Sequence, residues 1–349
     1  MSLIIFSWNE TDPARPALFV AVRLIGYDSE EKPLPLNHDG GGHWSGEFDL
    51  PDDLRTSYQF CPVRDTASPD WDAIMAAGVP DPSPSVERLG SSTYGNGEPS
   101  SILEMPGAPP QPWLQRRDGV PAGTVKHFET GRQWPTAVDV YTPPEPGEQP
   151  MAVVLLDGQA WMKLDVTAIF DNLISAGVIP PLVAAIISYP FGPIRVRALT
   201  DPAFHLPYLL DELLPWQALE FGASTDPAHT VLIGQSLGGL AAINAGLQAP
   251  DRIGVVLAQS SSLWWSEGSL TGDTVLAAVA EKRGLTTRFG LEAGALESGG
   301  LVEGNRRLFQ AMAAHAYQVK MNEYQGGHDF ACWRGGLAEG LVSMLGRGN

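Results

Sequence analysis

The strongest constraint on this chain lies at residues 230–240, where the apolar run Val231-Leu232-Ile233 passes through Gly234-Gln235-Ser236-Leu237-Gly238 into small residues with helical spacing. Glycines two positions either side of a serine remove side chains that would clash in a sharp strand-to-helix turn. This is the sequence form of a nucleophile elbow, which projects the Ser236 hydroxyl into a cleft. The pattern alone is short and common, so the surrounding chain must supply the partners such a serine needs.

Along the chain, two textures succeed one another. Segments 18–25, 43–50 and 57–60 are β-branched, aliphatic or alternating, separated by turn-rich stretches such as Gly26-Tyr27-Asp28-Ser29, and no helical period interrupts them. They predict a small β-sandwich. His38, Asp39 and His43 flank Gly40-Gly41-Gly42; with no matching partners for a metal, they read as a hairpin loop. Residues 79–112 turn to Pro, Ser and Gly and read as a linker. The expected division is thus a sandwich with its linker over 1–112 and a second domain over 113–349.

From residue 119 onward, strand and helix patterns alternate. Segments 123–128 and 137–141 read as an opening antiparallel pair, and 151–156, 182–188, 230–235, 254–259, 287–292 and 318–324 as further strands. Helical spacing occupies 166–176, 203–214, 274–282, 305–314 and 333–345, with Pro215 expected to bend or end the second of these. That order predicts an α/β fold, hydrolase-like, with a mostly parallel sheet and helices on both faces.

In an α/β-hydrolase the nucleophile is followed by the acid and then the histidine, each on a loop after a later strand. His328 fits the histidine, because it follows the last strand and the turn Gly326-Gly327. The loop after 287–292 offers Glu297 as the acid, in preference to Glu292 on the strand and Glu303 at the next helix. Asp329 adjoins His328 too closely to reach the far ring nitrogen and reads as structural. The oxyanion would be met by the amide of Leu237 and by that of Gly158 or Gln159, after the strand 151–156.

A formal charge of −18 argues against nucleic acid or an anionic membrane as partner, since both require basic surface. No apolar run reaches the length of a membrane span, and the opening residues lack the basic and apolar regions of a signal peptide, so a cytoplasmic protein is expected. Cys61 and Cys332 are too few for a disulfide framework and read as buried free thiols.

Longer motifs carry a resemblance. Leu155-Leu156-Asp157-Gly158-Gln159, the elbow through Leu240, Gln259-Ser260-Ser261-Ser262-Leu263-Trp264-Trp265, Leu291-Glu292-Ala293-Gly294, Gly326-Gly327-His328-Asp329 and Cys332-Trp333-Arg334-Gly335-Gly336-Leu337 together resemble the enterochelin esterases. Trp8, Trp44 and the 50–60 stretch resemble that family's amino-terminal module. The resemblance implies hydrolysis of the serine trilactone of a ferric tris-catecholate siderophore by Ser236, His328 and Glu297, without a metal or other cofactor of its own. Arg195 and Arg197, which follow the strand 182–188 on the edge where ligands enter such sheets, and Arg334 near the histidine loop are candidate cations for an anionic substrate, with Trp264, Trp265 and Phe191 as candidate aromatic walls. Arg195 matches the family's arginine in its loop, whereas Ala198 stands where an acidic residue is expected. An aromatic-acid esterase such as a feruloyl esterase, and a non-catalytic binding protein, are the competing readings.

Overall fold

A computed structural model of the chain describes residues 1–26, 33–90, 97–132, 134–190 and 192–346. Contacts divide it into two bodies: one is Met1–Pro110 together with Gly294–Ser298 and Tyr324–Cys332, the other Gln111–Ala293, Gly299–Glu323 and Trp333 onward.

In the first body, strands β1 (Ser2–Asn9), β2 (Phe19–Leu24), β3 (Leu34–Pro35), β4 (Asn37–Gly40), β5 (His43–Leu50), β6 (Arg55–Val63), β7 (Arg88–Leu89) and β8 (Ser100–Glu104) form two sheets. Their orders are β1-β5-β4 and β3-β2-β6-β8-β7, all antiparallel. Alternation along β1 turns Phe6 and Trp8 inward and leaves Leu3 and Ile5 exposed. Phe6 meets Tyr58 at 5.2 Å between ring centroids, within a core that also holds Trp44, Leu54 and Phe60. Each such aromatic contributes about 1.5–3 kcal/mol by leaving water. The predicted hairpin is β4–β5, where the His43 ring pairs with Asp39 at 2.6 Å. Of the predicted turn after β2, Gly26 is described and residues 27–29 lie outside the described residues.

The stretch read as a linker differs from that expectation. It contains β7 and β8, and Ile102, Leu103 and Met105 are buried there. Pro, Ser and Gly dominate its composition and mask one short apolar cluster that is long enough to pair with β6. A single helix, α1 (Trp71–Ala76), capped by the Asp70 side chain, precedes it.

The second body is built on strands β9 (Thr124–Glu129), β10 (Ala137–Thr142), β11 (Met151–Leu155), β12 (Leu182–Ser188), β13 (Thr230–Gln235), β14 (Val255–Gln259), β15 (Arg288–Gly294) and β16 (Gln318–Tyr324). Their order is β16-β15-β14-β13-β11-β12-β10-β9, with β15 through β12 parallel and β10 antiparallel to both its neighbours. The central strands are buried along their length, as expected where helices cover both faces. After β11 the chain goes first to β12 on one side and then to β13 on the other. Open α/β sheets place their ligand crevice at such a reversal, here at the carboxyl ends of β11 and β13.

The helices are α2 (Gly158–Trp161), α3 (Val166–Ser175), α4 (Pro193–Thr200), α5 (Pro202–Pro207), α6 (Leu214–Phe221), α7 (Leu237–Gln248), α8 (Gly272–Glu281), α9 (Gly299–Ala314) and α10 (Phe330–Leu345). Pro215, expected to bend or end a helix, stands in the first turn of α6. A π-helical turn, Tyr208–Leu213, joins α5 to α6 and widens the coil ahead of the proline ring, which has no N–H to give to the preceding turn.

Candidate active site

Ser236 sits between β13 and α7 at φ 58° and ψ −124°, a conformation non-glycine residues rarely adopt. Its N–H donates to the Gln259 carbonyl at 2.9 Å, and its own carbonyl accepts from Ser262 at 3.1 Å, which pins the turn from both sides. No side chain caps α7, so the Leu237 amide belongs to the first-turn N–H groups that have no intrahelical acceptor. The glycines divide differently from the motif's expectation. A Cβ at Gly234 would fall well inside contact distance of the Gly238 carbonyl, and one at Gly239 would lie 2.5 Å from the Ser261 hydroxyl oxygen. At Gly238 the nearest atom, an Asp157 carboxylate oxygen, is 3.4 Å away, an ordinary contact. Sequence reasoning noted Ser262 only as part of a motif; its hydroxyl oxygen is 3.2 Å from that of Ser236.

The second predicted amide source follows β11. Asp157 is left-handed at φ 60°, and Gly158 begins α2 where a Cβ would meet Ile186 Cγ2 at 2.8 Å. The Asp157 carboxylate is buried and accepts from Arg195 Nε at 2.5 Å, Arg195 Nη2 at 2.7 Å, Gln159 Nε2 at 3.2 Å and Gln235 Nε2 at 3.3 Å. Gln159 Oε1 in turn accepts the N–H of Tyr189 at 2.9 Å, while Gln235 Oε1 accepts from Trp161 at 3.2 Å. Burial raises the Tyr189 phenol well above its usual pKa, reinforced by the Asp157 charge. Gln235, the residue before Ser236, therefore ties the elbow to the segment that carries the Gly158 and Gln159 amides.

Arg195 already has an acidic partner inside the protein. It lies on α4, not in a loop, and its guanidinium grips Asp157 in a two-pronged ion pair with the side chain largely buried. A buried carboxylate demands such a partner. Arg197, on the same helix, is exposed; it lies over the Phe204 ring at 4.7 Å and 3.8 Å from Asp201. Trp264 is exposed and Trp265 partly buried against the core, the two rings edge to face at 5.8 Å. Arg334 is buried in α10, which removes it from the solvent-facing cations. Phe191 lies outside the described residues.

In the first body, His328 Nδ1 is 3.0 Å from Glu297 Oε2. Glu297 is buried, and its other oxygen accepts from the Gly294 N–H at 2.7 Å and the Tyr324 hydroxyl at 3.4 Å. A carboxylate on Nδ1 holds that nitrogen as the donor and leaves Nε2 as the basic one. The rejected candidates have other work: Glu292 accepts from Gln259 Nε2 at 2.6 Å, Glu303 is exposed on α9, and Asp329 accepts from the N–H groups of Ser57 and Ala331. Both cysteines are buried thiols, and burial pushes the Cys61 thiol up to about 12. Among the described residues no cluster of three or more His, Cys, Asp or Glu could hold a metal ion, and no helix is long and apolar enough to cross a membrane.

The chain can be set beside known proteins on these grounds. Residues 4–114 match the family model described as "Enterochelin esterase, N-terminal", and 130–344 match "Putative esterase". The iron(III) enterobactin esterase of Dickeya dadantii is 33% identical over 93% of this chain and 78% of its own length, and that of Escherichia coli K12 is 32% identical over 87% and 80%. The crystal structure of ferric enterobactin esterase from Salmonella typhimurium superposes with a TM-score of 0.84 at 27% identity, covering 98% of this chain and 93% of that one. A ferulic acid esterase from Anaeromyces mucronatus shares the fold, with a TM-score of 0.54 at 16% identity over 68% of this chain and 96% of its own. The sandwich, the strained serine after the central strand, and matches that run through both bodies agree: this chain is a member of the enterochelin esterase family.

Proposed function

We propose that the protein is a serine esterase that opens the trilactone backbone of ferric tris-catecholate siderophores such as enterobactin, releasing iron in the cytoplasm. The observation that carries the chemistry is Ser236 at φ 58°, a strained nucleophile position that a pure binding protein has no use for. The substrate comes from the relatives, whose names specify iron(III) enterobactin esterases.

In this reading Ser236 Oγ attacks a lactone carbonyl while His328 Nε2 takes its proton, and Glu297 orients the ring and stabilises the imidazolium. The amides of Leu237 and of Gly158 or Gln159 receive the oxyanion, in a place where fixed donors contribute most. Collapse breaks the acyl–oxygen bond, and His328 returns the proton to the departing seryl oxygen. Water, deprotonated by His328, then attacks the acyl-enzyme and regenerates Ser236. Arg197 and Trp264, both solvent-facing, suit an anionic aromatic complex, and the iron travels as part of the substrate.

The test is incubation of the protein and its Ser236→Ala variant with ferric and iron-free enterobactin, alongside methyl ferulate, with chromatographic separation of products. Ring-opened catecholoyl-serine fragments from the wild type alone are expected. Ferulate cleavage without trilactone cleavage would shift the reading to an aromatic-acid esterase, and undiminished turnover by Ser236→Ala would remove the elbow from the mechanism.

A further inference from the structure

The segments that carry Glu297 and His328 are held by the amino-terminal sandwich. His328 donates its backbone N–H to the Gly26 carbonyl at 2.7 Å. Gly26 has φ +72°, and a Cβ there would lie 2.5 Å from the His328 carbonyl oxygen and 2.6 Å from its nitrogen, so only glycine allows this approach. The next residue, Asp329, places its carboxylate on the backbone N–H of Ser57 in β6. Arg55 donates its N–H to the Gln325 carbonyl at 3.0 Å, and its own carbonyl accepts the Cys332 thiol at 3.1 Å. A Cβ at Gly326 would come within 2.7 Å of that same carbonyl. Leu296, immediately before Glu297, packs on the sandwich core.

These contacts fall on His328's own backbone and on the residues flanking it, and they bracket the imidazole on both sides in sequence. A loop histidine left to itself is mobile, and a displacement of about 1 Å in a catalytic group costs on the order of 10²-fold in rate. We propose that the sandwich is a positioning device for the general base: Gly26, Arg55 and Ser57 through their backbones, and Asp329 through its side chain, set the place of the His328 ring. The inference rests on the reading of His328 as the base, and its test separates the two.

In the full chain, Gly26→Ala, Asp329→Leu and Asp329→Asn are compared with Ser236→Ala and His328→Ala. The measurements are kcat and KM on a small neutral p-nitrophenyl ester, the rate at which a fluorophosphonate labels Ser236, and the thermal midpoint. Gly26→Ala and Asp329→Leu are expected to lower kcat and labelling rate by about 10- to 100-fold with KM unchanged. Asp329→Asn, which keeps an acceptor oxygen for the Ser57 N–H, is expected to recover most of the loss. If Gly26→Ala does not fold, the Asp329 pair carries the test alone. Wild-type kcat and labelling in the folded variants, with His328→Ala inactive, would overturn the positioning role. Full activity in His328→Ala would instead remove the base.

Discussion

Alanine placed at each elbow glycine in turn tests whether close backbone approach, rather than the motif as written, shapes the nucleophile turn. At Gly234 the new methyl would press on the Gly238 carbonyl and lie 3.0 Å from the Gly239 nitrogen. All of these are main-chain atoms, so the first turn of α7 has to move. Overpacking of this kind costs about 1–3 kcal/mol and occasionally more, and with no flexible neighbour Gly234→Ala belongs at the top of that range. At Gly239 the closest atom is the Ser261 hydroxyl oxygen, which can rotate, but the Ser261 Cα at 3.2 Å cannot, which places the cost at about 1–2 kcal/mol. At Gly238 the neighbours stand at 3.4 Å and beyond, and alanine suits a helix better than glycine by up to about 1 kcal/mol, so the net effect is near zero or favourable. In a body of this size each kcal/mol moves the thermal midpoint by about 2–4 °C, giving a fall of roughly 6–12 °C for Gly234→Ala. Calorimetry supplies the midpoints and fluorophosphonate titration the fraction of reactive Ser236. If Gly238→Ala proves as damaging as Gly234→Ala, the steric argument is wrong.

Further outcomes follow from the site and the core. Glu297→Gln keeps the volume but loses the charge on Nδ1, and is expected to lower kcat by on the order of 10³- to 10⁴-fold in steady-state assays, with an unchanged fold by circular dichroism. Ser262→Ala removes a neutral hydrogen bond at the nucleophile and should slow acylation by about 3- to 10-fold in stopped-flow burst measurements; an unaltered burst would show that the contact is idle. Arg195→Gln strands the buried Asp157 carboxylate, at a cost of about 3–5 kcal/mol. It should therefore slow turnover of a neutral ester as well as an anionic one, whereas a pure substrate contact would affect only the latter. His205 is buried, and burial lowers its pKa to about 4 from the ordinary 6.5. The unfolded chain binds that proton first as pH falls, so this contribution is complete above about pH 6.5 and is lost between there and about pH 4. Its size is about 3 kcal/mol. Denaturation curves across that window should be flatter for His205→Leu, and parallel curves would count against the assignment.

The order of strands and helices in the second body was legible because its central strands are continuous apolar runs and its helices keep a regular period. The strained turn at Ser236 and the approach of Glu297 to His328 could be anticipated from order, since each residue follows a strand of that sheet. The rest depended on distance in space. Nothing local marks Asp157 as the partner of Arg195, 38 positions away, so this clamp could not be read from the sequence. Composition hid β8, because Ile102 and Leu103 are diluted by the prolines, serines and glycines around them. Pro215 was read by its usual effect, and the π-helical turn before it is a tertiary solution that propensity does not encode. The grip of Gly26 and Ser57 on the histidine segment lies beyond any motif, since it joins their backbone atoms to residues some 270 to 300 positions away, with Ser57 and Asp329 separated by 272.

The Asp157 carboxylate, filled by donors from Arg195, Gln235 and Gln159, has a consequence for how this chain can change over time. A lineage that loses the arginine first, or the aspartate first, passes through a form with a stranded buried charge beneath its own active site. Exchange of both for well-packed apolar residues is energetically permissible, since such replacements of buried ion pairs are often neutral or better. The destination is accessible but the single steps are not. Drift at positions 157 and 195 should therefore proceed in pairs, and a relative that has departed at one of them should have departed at the other.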